Sequence, residues 1–179
     1  IGVGCVPFAF LYTTRLSYLG LGDVLVIVFF GLVPVGATYF AQLYPRTFNS
    51  DAPALTWEAL LAGLVVGLVT DNLLIVNNFR DREQDKLSGK NTLIVRIGAE
   101  WGQRLYLGVG ICAVLLCAPY LFSGHWLAFA LPCLYLIPHV LTWRKMKRIW
   151  QGKELNAVLG ATARNILIFG LLLAFGLFF

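Results

Sequence analysis

Charge is scarce in this chain of 179 residues: Asp, Glu, Lys and Arg make up 13% of it, against roughly 25% in soluble domains. Acid is scarcer than base, with nine Asp and Glu facing 14 Lys and Arg, and there are only two His and one Met. With 59% hydrophobic residues and a mean hydropathy of +0.76, the chain lacks the polar surface of an ordinary soluble domain and points to lipid. Cysteine is sparse too. Cys5, Cys112, Cys117 and Cys133 lie in apolar runs without CxxC spacing, which excludes a zinc site or a disulfide framework and reads them as small buried hydrophobes. No basic segment precedes the first apolar run, so no cleavable signal peptide is visible.

What is present is a series of membrane-length apolar runs. About 20 apolar residues span a hydrocarbon core of ~30 Å. Runs over 23–42, 57–79, 103–122 and 158–179 meet that length. A fifth, 125–143, is interrupted by Pro132 and Pro138, which membrane helices tolerate better than soluble ones. Residues 1–14 read as the end of a sixth, and with a start at Ile1 in mid-run the chain is expected to be the C-terminal part of a larger protein. The expected fold is all-α, a single polytopic transmembrane bundle over 1–179 that is N-terminally incomplete.

The basic residues are unevenly placed. If the spans alternate, the loops after the first, third and fifth share one side, and they hold 12 of the 14 Lys and Arg. The positive-inside rule makes that side cytoplasmic. A net charge of +5 then suits an anionic leaflet or an anionic substrate rather than nucleic acid. Trp57, Trp101, Trp126, Trp143 and Trp150 fall at or near run ends, where indoles prefer the membrane interface. Around Trp150, "RKMKRIWQGK" spaces Met146, Ile149 and Trp150 among cations, the pattern of a helix lying on anionic lipid.

The most polar stretch, "IVNNFRDREQDKLSGKNTLIVRIG" (75–98), continues an apolar run. On a helix, positions i, i+4 and i+8 drift by only about 40° per step, so Asn77, Asp81 and Asp85 form one stripe. Two carboxylates one turn apart repel unless a cation relieves them. Both are hard oxygen ligands with no soft ligand nearby, which favours Mg²⁺ completed by water and substrate phosphates. Lys86, Lys90 and Arg96 follow around a Gly-containing turn and could hold a polyanion. The ordinary alternative is a charged loop that is merely solvated. Asp71 lies ten residues earlier, about 15 Å deeper, where a carboxylate costs at least about 2.5–3.5 kcal/mol and must face a cavity or a partner. Asn72 or Arg164 could serve as that partner, and Asn78, seven residues on, shares the face of Asp71, so an internal polar cavity is expected. His139, after Pro138, reads as hydrogen-bonded locally rather than catalytic.

The stretch "NNFRDREQDKLSGKNTLIVRIG" resembles the second aspartate-rich motif of the UbiA superfamily of intramembrane prenyltransferases, in the form of the branch that acts on 1,4-dihydroxy-2-naphthoate for menaquinone or phylloquinone synthesis. "RLSYLGLGDVLVIVFFG" (15–31) is similar to that branch's connection between its fourth and fifth helices. The resemblance implies helices four to nine of a nine-helix fold. It also implies Mg²⁺-dependent transfer of a polyprenyl or phytyl group from its diphosphate to the naphthoate, with loss of its carboxylate. Asn77, Asp81 and Asp85 would hold the metal. Lys86, Lys90 and Arg96, with Asn78 and Asp71, would face the diphosphate and substrate, and Arg15 and Tyr18 could contact substrate from the neighbouring loop. A first aspartate-rich motif belongs after the family's second helix and is missing here, so the chain alone is expected to be inactive. The expected location is a bacterial plasma membrane, with a plastid membrane as the alternative. Homogentisate, 4-hydroxybenzoate or a chlorophyllide are alternative acceptors. A transporter or scaffold with an Asp71–Arg164 relay is the rival of another class.

Overall fold

A computed structural model describes residues 20–43 and 55–179. The first element is a helix, α1 (Gly22–Ile27), that runs through a π-helical turn (Val28–Leu32) into α2 (Val33–Leu43). Next come α3 (Trp57–Leu87), α4 (Leu93–Leu115), a 3₁₀ turn (Ala118–Leu121) and α5 (Leu127–Ala130). A second 3₁₀ turn (Pro132–Tyr135), α6 (Leu136–Ile149), a third (Lys153–Leu155) and α7 (Asn156–Phe178) complete the order. Among the described residues, five helical segments are long and apolar enough to cross a membrane. The predicted span over 1–14 lies outside the described residues.

The long helix α3 is the axis of the bundle and packs on α1, the π turn, α2, α4 and α7. Thr56 caps its start, its hydroxyl accepting from the Ala59 amide at 3.4 Å. The helix runs eight residues past the apolar span 57–79, so Asn77, Asp81 and Asp85 are helical and not in a loop. Within α4, a short turn capped by Thr92, which accepts from the Val95 amide at 3.4 Å, precedes a break at Gly98 (φ +82°), and the helix of the predicted span 103–122 follows that break. The span 125–143 is broken into α5, a 3₁₀ turn and α6, with Pro132 starting the turn, where a missing N–H costs least.

Two apolar clusters fill the interior. One holds Ile75, Val76, Phe79, Ile94, Tyr106, Met146, Leu155 and Val158. The other is built around Val65, Val69, Ala113, Tyr120, Tyr135, Phe169 and Leu173. The polar side chains of Asn72, His139, Thr142, Thr162 and Asn165 fall between them along the helices, all buried. Tyr106 and Thr162 share a hydrogen bond of 3.0 Å, and Asn165 donates to Thr142 at 2.9 Å and to the Pro138 carbonyl at 3.2 Å. Such interhelical bonds join helices where lipid gives no hydrophobic drive. His139 is stacked between Tyr106 (4.7 Å) and Tyr135 (5.0 Å) and bonded to the Tyr135 hydroxyl at 3.0 Å. It is the local, structural histidine that the sequence suggested.

Three readings are corrected by the packing. Met146 is fully buried in the core and Trp150 leaves the helix with φ +60°, so "RKMKRIWQGK" is the end of α6 and a turn, not a helix lying on lipid. Cys112 is exposed on α4, whereas Cys117 is buried, and Cys112, Cys117 and Cys133 are all free thiols; Cys5 lies outside the described residues. The Asp71–Arg164 pair does not form. Arg164 is exposed on α7, while its neighbour Asn165 points inward, as adjacent positions about 100° apart on a helix must diverge.

The crossing of the π turn over α3 is a contact of glycines. A Cβ on Gly31 would strike the Gly63 carbonyl, and one on Gly67 would sit 2.6 Å from the Ile27 carbonyl oxygen. Small residues let membrane helices approach this closely. Gly67→Ala should therefore cost about 1–3 kcal/mol by overpacking, read as a lower melting temperature of the full-length protein in detergent. Gly108→Ala, which meets open space, is the control and should not lower it.

Candidate functional site

The site grows from the way α3 ends. Gly89 takes φ +74°, which glycine adopts without strain, and the chain folds back on the helix. The Lys90 amide bonds to the Asp85 carbonyl at 2.9 Å and the Gly89 amide to the Lys86 carbonyl at 3.3 Å, the Schellman pattern. The Ser88 hydroxyl adds a bond to the same Asp85 carbonyl at 3.1 Å. This fold-back sets the Lys90 ammonium 3.6 Å from the buried Asp85 carboxylate.

One turn earlier, Asp81 has a different partner. The Arg80 guanidinium donates from Nε to Asp81 Oδ1 and from Nη2 to Asp81 Oδ2, both at 2.7 Å. Nη2 also donates to Asn77 Oδ1 at 2.8 Å, and Nη1 to Asn156 Oδ1 at 2.8 Å, on the first residue of α7. The ladder is thus one stripe, as its spacing requires, but its two carboxylates are neutralised separately: Asp81 by Arg80, Asp85 by Lys90. Bidentate charge-assisted bonds of this kind are short and directional.

Below this mouth lies an apolar groove of ≈ 590 Å³. Its α3 wall is Thr70, Leu73, Leu74 and Asn77, its α7 wall Leu159, Gly160 and Ala163, and Val26 and Phe30 close a third side. The α3 positions run at three- and four-residue intervals straight up to Asp81. The α7 positions run in the same way from Asn156. Both helices therefore carry a stripe that is polar at the mouth and apolar for about 10–16 Å inward, at 1.5 Å per residue.

Deeper in α3, Asp71 is 3% exposed and its Oδ1 has no hydrogen-bond partner. Asp23 of α1 is a second buried carboxylate with an oxygen that has no hydrogen-bond partner. A cavity of ≈ 30 Å³ is lined by Asp23, Asn78 and Thr92 among others, but Asp71 is not in its lining, so the polar cavity expected around Asp71 is not what the packing forms. Asn72 makes no hydrogen bond. Lys86 is exposed at the end of α3, and the Arg96 guanidinium lies against Gly20 at the start of α1. Arg15 and Tyr18 lie outside the described residues.

The structure adds residues that sequence reasoning passed over. Arg80 looked like one more loop cation; its position three after Asn77 and one before Asp81 was the available signal. Asn156 had none, being 76 residues away. Arg82 is 7% exposed and locks the α6–α7 turn. It donates to the Trp150 carbonyl at 3.0 Å and lies 4.5 Å from the Phe79 ring centroid and 5.6 Å from that of Trp150.

Five membrane-length helices, a mouth of carboxylate, guanidinium and amide groups, and an apolar groove running inward from it define a polytopic α-helical integral membrane protein. The chain belongs to the UbiA prenyltransferase family, whose profile matches residues 1–169. It is similar to proteins named 1,4-dihydroxy-2-naphthoate octaprenyltransferase from Haemophilus influenzae, 39% identical over 65% of this chain and 36% of that protein, and from Escherichia coli, 33% identical over 90% and 50%. A chicken protein, UbiA prenyltransferase domain-containing protein 1, is 31% identical over 97% of this chain and 49% of its own length. The chain spans about half the length of the curated relatives it matches. No solved structure matches it significantly. The family suggested by residues 77–98 is the family found.

Arg82→Ala should remove the only side-chain donor to the Trp150 carbonyl among the described residues, at about 1–3 kcal/mol for a buried hydrogen bond. Limited trypsin digestion should then cleave faster after Arg148 and Lys153. Cleavage at the wild-type rate would contradict the locking role.

Proposed function

We propose that the whole protein transfers a polyprenyl group from its diphosphate to 1,4-dihydroxy-2-naphthoate, as a step of quinone biosynthesis. The observation that carries the reading is the unbroken stripe from Asn77, Asp81 and Asn156 down the walls of the groove. It matches an amphiphile whose charged head stays at the mouth while its isoprenoid tail enters the membrane. The groove volume of ≈ 590 Å³ lies within the usual range for ligand pockets, about 300–1,000 Å³. The printed names of the bacterial relatives supply the acceptor.

The family implies Mg²⁺, and the donor chemistry at the mouth fits it in part. Both oxygens of Asp81 and Oδ1 of Asn77 converge on a single cationic group at 2.7–2.8 Å. All are hard donors of the kind Mg²⁺ takes. Asp85, one turn on, would complete the chain's own contribution. Among the described residues no group of three or more His, Cys, Asp or Glu could hold a metal, so further ligands would come from water, from diphosphate oxygens and from acidic residues of the N-terminal portion. A bound divalent ion would supply neutralisation of the charge that grows on the leaving diphosphate.

The chain's own residues do the rest. Lys90, held over Asp85 by the Gly89 turn, and the exposed Lys86 offer charge to the diphosphate as its bond to the allylic carbon breaks. The apolar wall of Leu73, Leu74, Leu159 and Ala163 keeps water from that carbon. The naphthoate ring carbon forms the new C–C bond, its carboxylate leaves as carbon dioxide, and diphosphate departs at the mouth. The basic loops support a mouth on the cytoplasmic face, and the bacterial relatives support a bacterial plasma membrane.

In the full-length enzyme, Asp81→Asn and Asp85→Asn should each lower prenyl transfer by about 10²-fold or more, since each keeps side-chain volume and removes ligand charge. Full turnover in both variants would end the reading. Gly160→Phe, placed where an added side chain meets open space, should raise KM for long polyprenyl diphosphates and spare geranyl diphosphate. An equal effect on all chain lengths would remove the groove as the tail site.

A further inference from the structure

We propose that Arg80 is an internal cation that competes with the divalent metal for Asp81 and, once displaced, turns to the substrate diphosphate, so that metal and diphosphate bind as a coupled pair. The inference deepens the prenyltransferase reading and rests on it.

A guanidinium has five N–H donors in a rigid plane. In Arg80 four are engaged: one to Asp81 Oδ1, one to Asp81 Oδ2, one to Asn77 Oδ1 and one to Asn156 Oδ1. Both oxygens of Asp81 and the Oδ1 of Asn77, the donors this turn of α3 is proposed to give a metal, are therefore already bonded to the arginine. A divalent ion does not take Asp81 freely while a guanidinium holds both of its oxygens at 2.7 Å, because two cations on one carboxylate repel at contact distance. Nor can Arg80 grip a diphosphate with its fork while both prongs lie on Asp81. Each ligand thus releases what the other needs.

The geometry also fixes where the released arginine goes. Asn156 heads the α7 stripe that continues into Leu159, Gly160 and Ala163 on the groove wall. A guanidinium that lets go of Asp81 but keeps Asn156 remains over the groove mouth, where a diphosphate head would sit. Arg80 and Asp81 are only partly exposed, at 26% and 33%, so the exchange takes place at the water's edge and needs no opening of the core. By linkage, metal and diphosphate must each raise the other's affinity by the same factor.

The test uses the full-length protein in detergent, in wild-type form and as Arg80→Gln and Arg80→Lys, with melting temperatures to confirm folding. Mn²⁺ binding without diphosphate is read by electron paramagnetic resonance. Binding of labelled inorganic pyrophosphate at saturating Mn²⁺ is read by equilibrium dialysis. In Arg80→Gln, Mn²⁺ alone should bind about fivefold tighter or more, and pyrophosphate weaker by a similar factor, the lower range of ordinary coupling between sites. Arg80→Lys, which keeps the charge and loses the fork, should fall between, and it carries the test if the glutamine variant does not fold. Weakening of both ligands would make Arg80 a plain structural prop, and no change in either would deny it any part; both results overturn the proposal. Mn²⁺ binding that is indifferent to Asp81→Asn overturns the metal reading itself, and this proposal with it.

Discussion

Everything at the mouth depends on α3 remaining helical after its sequence stops being apolar. Backbone groups in lipid must be satisfied internally, so a helix that crosses the membrane is rigid by necessity. Here that rigidity is carried eight residues further, to Leu87, before Gly89 reverses the chain. Asn77, Asp81 and Asp85 therefore hold a fixed spacing and a fixed height above the groove. Had the helix ended near Phe79, the same residues would belong to a loop and would have to be ordered by the ligand, at an entropic cost for each residue.

Charge in this bundle is managed pair by pair. Asp81 is covered by Arg80 and Asp85 by Lys90, so neither carboxylate relies on the other or on the lipid headgroups. The deeper carboxylates differ: Asp23 and Asp71 are buried and each has an oxygen without a donor. The layer of Tyr106, His139, Thr142, Thr162 and Asn165 is instead well connected and ties α4, α6 and α7 together between two apolar clusters. Polar groups thus serve two ends, fastening helices at mid-bundle and neutralising one another at the mouth.

The Arg80–Asn156 bond joins these two halves of the architecture. It connects the end of α3 to the start of α7 across 76 residues of sequence. The α6–α7 turn that delivers Asn156 is itself held by Arg82 through the Trp150 carbonyl. Arg80 and Arg82, two residues apart, lie on different faces of α3. One faces the mouth and the other braces the segment that completes it.

The sequence by itself determined the class of fold and the helix that carries the aspartate ladder. Runs of about 20 apolar residues leave the backbone no alternative to helix in lipid, and i, i+4 spacing places Asn77, Asp81 and Asp85 on one stripe whatever surrounds them. It also marked His139 as a local hydrogen-bonding residue. Pairing between helices was beyond it. Hydropathy could not show that a capped turn precedes the break at Gly98, since a short polar turn looks like loop, nor that Met146 is core and Arg164 is exposed, since each depends on which face meets a neighbour. Only the tertiary structure decided that Arg80 holds Asp81, that Lys90 returns to Asp85, and that Asn156 closes the mouth. Those contacts arise from a turn geometry and a helix crossing, and neither is encoded in the spacing of the residues that meet there.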